Sequence, residues 1–526
     1  MVSTAPDALM AAQPATRGVA KNTYGEILKS TTLIGGSSLA NLAIGIVRTK
    51  AMAVLLGPVG FGLMGIFSSI ADMTRSIAEM GINSSGVRQI AQAAGSGDAQ
   101  RIAQTVIVLR RVAIGLGIFG ALLLVVFARP VAALTFGNEQ HAGAVALLSV
   151  AVFLRLVSDG QGALLQGMRR IADMARIAVL GTLLGTLASI PLVYYLRADG
   201  VVPALIAVAG ASTAVSWFYS RKLRTCAPAD AMSTPQLGRE VAALLRLGLA
   251  FMASGFLVLG AAYAVRAILV RHDGMEAAGL YQAAWTLGGL YVGFVLQAMG
   301  ADFYPRLAAA AADDAVCNRL VNEQAHVSLL LAGTGVTATL TFAPWIISLM
   351  YSAEFQGATG ALRWICMGMA MRVITWPLGY ILVAKGRQVL FVGVDLAWTI
   401  VNVGLTWICV QHFGLAGAGV AFFGSYLFHL LVVYPIVAHL SGFRWSSANL
   451  RTATAFIAVI AVVMVGFERF SAAMAMALGA TATLLCAVWS LHALRGLVTI
   501  HEVPRRFAWL LRLPKVRLSK VQEEKA

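Results

Sequence analysis

Long apolar stretches alternate with short polar segments along almost the whole chain. A helix that crosses a membrane needs about 20 mainly apolar residues, and fourteen stretches approach or exceed this length. We therefore predict an all-α polytopic membrane protein with fourteen transmembrane helices, numbered as spans 1 to 14. The predicted limits are 31–56, 62–81, 102–127, 142–165, 175–196, 201–219, 241–270, 279–302, 322–350, 358–384, 388–410, 415–438, 452–467 and 472–494.

The composition agrees with this prediction. The 526 residues are 59% hydrophobic and only 12% charged, with a mean hydropathy of +0.79. Soluble domains carry about 25% charged residues, so a large soluble fold is excluded. The five cysteines show no paired spacing, so we expect no disulfide framework, no metal site and no cofactor.

The positive charge follows the spans. In a soluble domain the net charge of +17 would indicate nucleic acid, but in a membrane protein basic residues gather in cytoplasmic loops. Of 40 basic residues, 27 lie in the segments on the side of the N-terminus or in the C-terminal tail. The opposite side holds four, Arg129, Arg197, Arg271 and Arg469. We therefore predict that both termini are cytoplasmic and that no nucleic acid is a partner.

Spans 1–6 and spans 7–12 look like two copies of one unit. Six pairs of basic residues recur 217 or 218 positions apart, among them Arg48 with Arg266 and Arg155 with Arg372. Six is an even number, so the copies begin on the same face, and we predict two parallel lobes with a cavity between them.

The predicted domains are a cytoplasmic N-terminal segment (1–28), an N-lobe (29–220), a linker (221–240), a C-lobe (241–440), spans 13 and 14 (441–495) and a tail (496–526). The tail has the pattern of a basic amphipathic helix that lies on anionic lipid.

Arg176 and Arg246, at the starts of spans 5 and 7, are counted among the 27 on the side of the N-terminus, and nine basic residues remain farther inside the predicted spans. They are Arg48, Lys50, Arg75, Arg110, Arg111, Arg155, Arg266, Arg363 and Arg372. Arg110 and Arg111 are near enough to a span end for their head groups to reach the surface. A basic residue at the bilayer centre costs about 2.5–3.5 kcal/mol, so the others must face something other than lipid.

Two explanations stay open for these interior charges. In the structural one, ion pairs hold the helices together: Arg155 lies one turn from Asp159, and Arg75 lies within a turn of Asp72 and Glu79. In the functional one, the charges line a water-filled cavity for an anion, and arginine suits phosphate because its planar fork binds two oxygens.

The functional explanation defines the candidate site. The predicted ligands of an anionic head group are Arg48, Lys50, Arg75, Arg155, Arg266 and Arg372. The carboxylates of Asp72, Glu79 and Asp159 are candidates for ion pairs or for ion coupling, because acidic residues inside a membrane are often functional.

Two stretches resemble a known family. The first runs from Arg48-Thr49-Lys50-Ala51-Met52-Ala53 to Leu56-Gly57-Pro58-Val59-Gly60-Phe61-Gly62-Leu63, and the second includes Ala361-Leu362-Arg363-Trp364 and Gly379-Tyr380. They resemble the O-antigen translocases, the Wzx-type polysaccharide-lipid flippases of the MOP superfamily. The resemblance extends over roughly residues 25–440.

The resemblance implies a function. It implies two six-helix lobes around a cationic lumen that receives an undecaprenyl-pyrophosphate oligosaccharide, such as an O-antigen, common-antigen or exopolysaccharide repeat unit. Alternating access would deliver this lipid to the periplasmic leaflet of the bacterial inner membrane, coupled to protons or to the membrane potential. A polysaccharide polymerase and the chain-length machinery are the implied partners, beside the membrane phospholipids.

Spans 13 and 14 exceed the twelve helices usual in much of that family. They are similar to the two extra helices that form a lipid groove in the lipid II flippases of peptidoglycan synthesis, so a lipid II flippase is an alternative. A multidrug or cation antiporter of the same superfamily is another, although its cavity should favour acidic residues. A membrane enzyme would need a sizeable outer loop, whereas the outer loops are only about 4 to 14 residues long. We therefore predict a transporter and not an enzyme.

Overall fold

The computed structural model describes residues 16–81, 86–87, 89–91, 99–168, 170–221 and 234–497. Side chains are described over 36–81, 86–87, 89–91, 100, 102–168, 170–221, 255–296, 303–304 and 306–496. The helices are α1 (Thr16–Glu79), α2 (Ala99–Val126), α3 (Ala128–Phe136), α4 (Ala142–Gly167), α5 (Ile171–Leu196), α6 (Val201–Ser220), α7 (Thr234–Ala309), α8 (Asp314–Thr341), α9 (Ala343–Met350), α10 (Thr359–Ala384), α11 (Gln388–Phe413), α12 (Leu415–Ser441), α13 (Ser447–Arg469) and α14 (Ala472–Leu497). Most of the predicted linker and nearly all of the basic tail lie outside the described residues.

The helices agree with the predicted polytopic membrane protein. In the described chain, ten helical stretches are long and apolar enough to cross a membrane, and α8 with α9 makes an eleventh bent by 79°. Three of the ten stretches, Gly36–Glu79, Ile171–Ser220 and Gly255–Leu296, contain 44, 50 and 42 residues. One crossing takes about 20 residues, so each of these three stretches is long enough for two crossings. Counted in this way, the described helices agree with the fourteen predicted spans.

Glycines divide two of the long stretches. Gly57 has φ 62° and ψ −176° inside α1, and Gly274 has φ 84° and ψ −179° inside α7. Glycine adopts such positive φ values at little cost because it lacks a Cβ atom. Pro58 adds a second cause at the first break, because a proline disfavours helical geometry in the residue before it. Both breaks fall in loops that the sequence predicts between spans.

The helix lengths support the predicted repeat. Helices α2 to α5 contain 28, 9, 26 and 26 residues, and α8 to α11 contain 28, 8, 26 and 26. Gly57 and Gly274, which break α1 and α7, are also 217 positions apart. The same order of helices therefore occurs twice in the described chain.

The helix limits differ most from prediction within span 9 and at the start of α1. Span 9 was predicted as one helix over 322–350, but the chain bends by 79° between α8 and α9. Pro344 explains the bend, because proline lacks the N–H group and its ring clashes with the carbonyl one turn earlier. Helix α1 begins at Thr16, well before the predicted start at 31, because hydropathy marks the apolar part of a helix and not its polar extension.

Contacts among the described residues divide the chain into two compact units. The first unit contains the residues up to Gly279 and Met350–Glu354, and the second contains Leu280–Leu349 and the residues from Phe355 onward. In the first unit Tyr263 of α7 packs against a core that includes Phe67 and Val152. This part of α7 was assigned to the C-lobe by sequence, and the predicted domain limits stay a prediction.

In the first unit, two interhelical turns touch through their backbones. An ideal Cβ atom on Gly62 would lie 2.7 Å from the backbone nitrogen of Gly279, and one on Gly279 would overlap the carbonyl oxygen of Pro58. Only glycine permits this approach. We call the contact between residues 58–62 and 275–279 the glycine seam.

Other loops meet near the same end of the first unit. Phe61 and Tyr351, each 2% exposed, pack edge to face with ring centroids 5.5 Å apart. Arg197 donates to the carbonyl of Leu55 at 3.3 Å, and Arg271 donates to that of Leu134 at 3.2 Å. All these loops are predicted to lie opposite the N-terminus. Which side of the membrane this end faces stays a prediction.

In the second unit, α13 and α14 pack against α8. The side chain of Asn449 donates to the Asn322 carbonyl at 2.7 Å and contacts His326 Nδ1 at 3.0 Å, and Thr334 and Ser490 share a hydrogen bond of 3.0 Å. The Arg363 guanidinium lies 3.5 Å from the ring centroid of Phe467, a cation–π contact between α10 and α13. Spans 13 and 14 are therefore an integral part of this unit.

Candidate functional site

Two ion pairs connect α1 and α4 crosswise in the first unit. Arg75 Nη1 lies 2.7 Å from Asp159 Oδ2, and Arg155 Nη1 lies 2.5 Å from Asp72 Oδ1. The four side chains are between 22% and 40% exposed. We call this group the charge ladder.

The ladder follows from the order of charges along each helix. On α1 the acid Asp72 comes one turn before Arg75, whereas on α4 the base Arg155 comes one turn before Asp159. The two helix segments run in the same direction, because the residue numbers of both pairs increase together. Opposite charges therefore face each other at two levels about one 5.4 Å turn apart.

The partners differ from those expected. The sequence offered pairs within one helix, Arg155 with Asp159 and Arg75 with Asp72 or Glu79, but the hydrogen-bonded pairs run between helices. An arginine can reach a carboxylate on the facing helix without folding back along its own helix. A pair of this kind also joins the two helices. Glu79 still acts on Arg75 through its charge.

Arg48 lies near the ladder. Arg48 is half-buried on α1, and it is close enough to Arg155 for the two positive charges to repel each other. Over the side chains that the structure describes, no carboxylate forms an ion pair with Arg48. The ladder is neutral by itself, so Arg48 adds a positive charge that these carboxylates leave unpaired.

The other predicted ligands of the first unit have different surroundings. Lys50 is exposed on α1. Arg266 of α7 is only 6% exposed and donates to the carbonyl of Ala262 in its own helix at 2.7 Å. Arg266 therefore faces protein in this conformation, and its role as a ligand stays a prediction.

Arg372 lies in the second unit, half-buried near the middle of α10. Its charge and that of Asp395 on α11 both act on the hydroxyl of Tyr426 on α12. As with Arg48, the described part of the chain contains no carboxylate in an ion pair with Arg372. Tyr426 is not among the residues that the sequence predicts for the site. The spacing of Phe422, Tyr426 and His429 along one helical face was the available signal.

Arg110 has a structural role. Its Nη2 atom donates to the carbonyl of Ser220 at 3.2 Å, at the end of α6. A cation is favourable beside the unpaired carbonyls of a helix C-terminus. This arginine therefore needs no ligand, in agreement with its predicted position near a span end.

The chain is similar in sequence to known proteins. The family described as polysaccharide biosynthesis protein matches residues 51–359, more than half of the chain. The lipid III flippases of Escherichia coli (strain K12) and Shigella flexneri are each 22% identical over 415 residues, which cover 76% of this chain and 95% of each relative. Both relatives are named as flippases, which agrees with the prediction that the chain is not an enzyme.

Solved structures share the fold. The lipid II flippase MurJ in an inward closed conformation superposes with a TM-score of 0.65 and 13% identity, covering 88% of this chain and 99% of that one. A multidrug resistance MATE family transporter of the MOP superfamily, in its inward-facing conformation, superposes with a TM-score of 0.58 and 17% identity, covering 77% and 96%. At these identities the likeness concerns the fold alone.

Proposed function

Since this chain belongs to the polysaccharide biosynthesis protein family, we propose that it is a flippase for a lipid-linked oligosaccharide. The proposed cargo is an undecaprenyl-pyrophosphate-linked repeat unit of an O-antigen, a common antigen or an exopolysaccharide. Alternating access would carry it from the cytoplasmic to the periplasmic leaflet of the inner membrane. The similarity to lipid III flippases over 415 residues supports the class of cargo.

The observation that carries the proposal is the state of Arg48 and Arg372. Both lie inside membrane-spanning segments, and neither has a carboxylate partner among the described side chains. A basic residue at the bilayer centre costs about 2.5–3.5 kcal/mol, so an unpaired arginine there needs an anion or water. A pyrophosphate supplies several oxygens that match the planar fork of a guanidinium.

The arginines of the charge ladder can also take part in binding the head group. In this conformation Asp72 and Asp159 neutralise Arg155 and Arg75. A head group held by Arg48 would compete with Asp72 for Arg155, since Arg155 is the charge that acts on Arg48. Competition of this kind lets the first unit stay folded without cargo and still offer more than one arginine to it.

The same competition links the carboxylates to coupling. Asp72 and Asp159 hold the two arginines of the ladder, and the charge of Glu79 also acts on Arg75. A cargo that draws an arginine away would therefore change the surroundings of these carboxylates, which makes them the candidates for ion coupling.

A second candidate is a lipid II flippase. The feature that favours it is the presence of α13 and α14 after the repeated helices, packed firmly against α8. The proposed cargo of both candidates carries a polyprenyl-pyrophosphate head group, so Arg48 and Arg372 could bind either cargo. They differ in the sugar, which the experiment must identify.

The test is depletion of the protein in its host, followed by mass spectrometry of the lipid-linked saccharides that accumulate. A polysaccharide repeat unit is expected, and accumulation of lipid II would select the second candidate. Plasmid-borne Arg48→Ala and Arg372→Ala should each restore less than about a tenth of the wild-type polysaccharide, because each removes an interaction with the head group of about 1.5–3 kcal/mol.

The matched control is Arg111→Ala, since Arg111 is an exposed arginine of α2. It should restore export fully. Immunoblots must show equal protein levels for all three variants. Wild-type export by both Arg48→Ala and Arg372→Ala would remove the basis of the site, and competition by organic cations would revive the antiporter.

A further inference from the structure

A row of aromatic side chains runs along one face of α12. Phe422, Tyr426 and His429 are spaced by four and three residues, which places them on one side of a helix. Their neighbouring ring centroids are 5.0 Å and 5.9 Å apart. Trp398 of α11 joins the row, with its centroid 5.4 Å from that of Tyr426. Trp285 of α7 lies 5.0 Å from Phe422 in the same unit.

Charged groups lie beside this row. Arg372 and Asp395 both act on the Tyr426 hydroxyl. Asp395 and Trp398 are three residues apart on α11, so they share a face of that helix. Tyr426, His429, Arg372 and Asp395 are each half-buried. The row of aromatic rings therefore has one acid and one base beside it.

Two hydrogen-bonding atoms in the group, Trp398 Nε1 and His429 Nδ1, have no protein partner among the described residues. Thr399 Oγ1, which follows Trp398 on α11, has none either. An unsatisfied buried donor or acceptor costs about 1–3 kcal/mol, and three of them on two adjacent helices are expensive for simple packing. Changes of side-chain rotamer on binding are common, so burial in this conformation does not keep these atoms from a ligand. Their unused capacity therefore indicates a ligand rich in donors and acceptors.

We propose that Trp398, Tyr426 and His429, with Arg372 and Asp395, form a binding site for a sugar ring of the transported oligosaccharide. A pyranose has an apolar face of C–H groups, which packs on an aromatic ring, and a rim of hydroxyls that both donate and accept hydrogen bonds. The group offers both: aromatic faces, and the mixed donors and acceptors of indole, imidazole, hydroxyl, carboxylate and guanidinium. This combination of apolar walls with a few placed polar groups is typical of sites for small molecules.

The inference rests on the proposed function, and it divides the cargo between two chemistries. The first unit carries Arg48 and the charge ladder, which suit a pyrophosphate. The aromatic group belongs to the second unit and suits an uncharged sugar. Arg372 belongs to the second unit with Tyr426, on whose hydroxyl its charge acts.

The test uses the purified full chain in a detergent without a sugar head group. Saturation-transfer NMR is recorded with D-glucose, N-acetyl-D-glucosamine and L-rhamnose as probes. At least one of them should show transfer to its ring protons. Trp398→Phe and Tyr426→Phe keep the rings and remove one hydrogen-bonding group each, and each should weaken that transfer at least about fivefold, the equivalent of one net hydrogen bond.

The matched control is Trp407→Phe, because Trp407 lies on the same helix and is 55% exposed. It should retain the wild-type signal, and all variants must unfold at the wild-type temperature. If Trp398→Phe does not, Tyr426→Phe decides the outcome. Transfer to none of the sugars, or equal transfer in wild type and in the folded variants, would overturn the sugar site.

A second arm keeps the two proposals apart. Binding of inorganic pyrophosphate to the same protein is followed by ³¹P NMR, with Arg48→Ala as the weakened variant. Pyrophosphate binding without sugar binding would reject the sugar site and leave the proposed function in place. Sugar binding without pyrophosphate binding would retain the sugar site and reject the assignment of the head group.

Discussion

Arg75 Nη1 lies 2.7 Å from Asp159 Oδ2, a contact that joins α1 to α4 across 84 positions of sequence. Neither helix could place these charges in lipid alone. The pair therefore joins the two helices and neutralises both charges where they lie.

Arg75→Ala should destabilise the protein because it leaves Asp159 without its partner. Removing one member of a buried pair costs about 3–5 kcal/mol, and partial exposure reduces the expected loss to about 1–3 kcal/mol. Thermal unfolding of the purified chain measures it. Arg75→Ala combined with Asp159→Ala should recover part of the loss, because the orphaned charge is gone.

The control for this pair is Arg176→Ala, which breaks an ion pair whose arginine is 62% exposed. A change within about 0.5 kcal/mol is expected there. If the losses of stability caused by Arg75→Ala and Asp159→Ala simply add in the double variant, the two side chains are not coupled. The charge ladder would then contribute nothing to stability through this pair.

Gly279→Ala should disrupt the glycine seam. The new Cβ atom would overlap the Pro58 carbonyl oxygen, and backbone cannot yield as a side chain can. Overpacking costs about 1–3 kcal/mol, so the unfolding temperature should fall. Gly260→Ala is the control on the same helix, where a Cβ atom meets nothing within 4 Å. It should be neutral or stabilise by up to about 1 kcal/mol. A Gly279→Ala protein as stable as wild type would show that the seam separates easily.

Asn449→Ala should loosen α13. The side chain is 1% exposed and binds Asn322 and His326 of α8, so the variant leaves buried groups of α8 unsatisfied at about 1–3 kcal/mol. Hydrogen exchange should accelerate about tenfold across α13. Thr454→Ala on the same helix removes only bonds within α13 and should leave exchange unchanged. If hydrogen exchange in Asn449→Ala is as slow as in the wild type, apolar contacts alone hold α13 against α8.

The order of helices could be predicted because the bilayer imposes one length scale on every span. The breaks at Gly57 and Gly274 fell in predicted loops for the same reason. The bend at Pro344 was missed, since the flanking residues are as apolar as a span. Hydropathy also carried no information about where α1 begins, because a helix continues beyond the lipid.

The residues of the candidate site could be predicted from the sequence, but their contacts with one another could not. Asp72, Arg75, Arg155 and Asp159 were all identified as costly charges, but a residue's partner depends on which helix faces it. The burial of Arg266 also depends on packing. Tyr426 and His429 escaped notice because an aromatic spacing of four and three residues is common in ordinary helix cores.

The glycine seam has one further consequence. Its closest contact joins main-chain atoms, because a Cβ atom on Gly279 would overlap the Pro58 carbonyl oxygen. No change of side-chain rotamer can open such a contact. Residues 58–62 and 275–279 therefore separate only when the helix segments that carry them move as units.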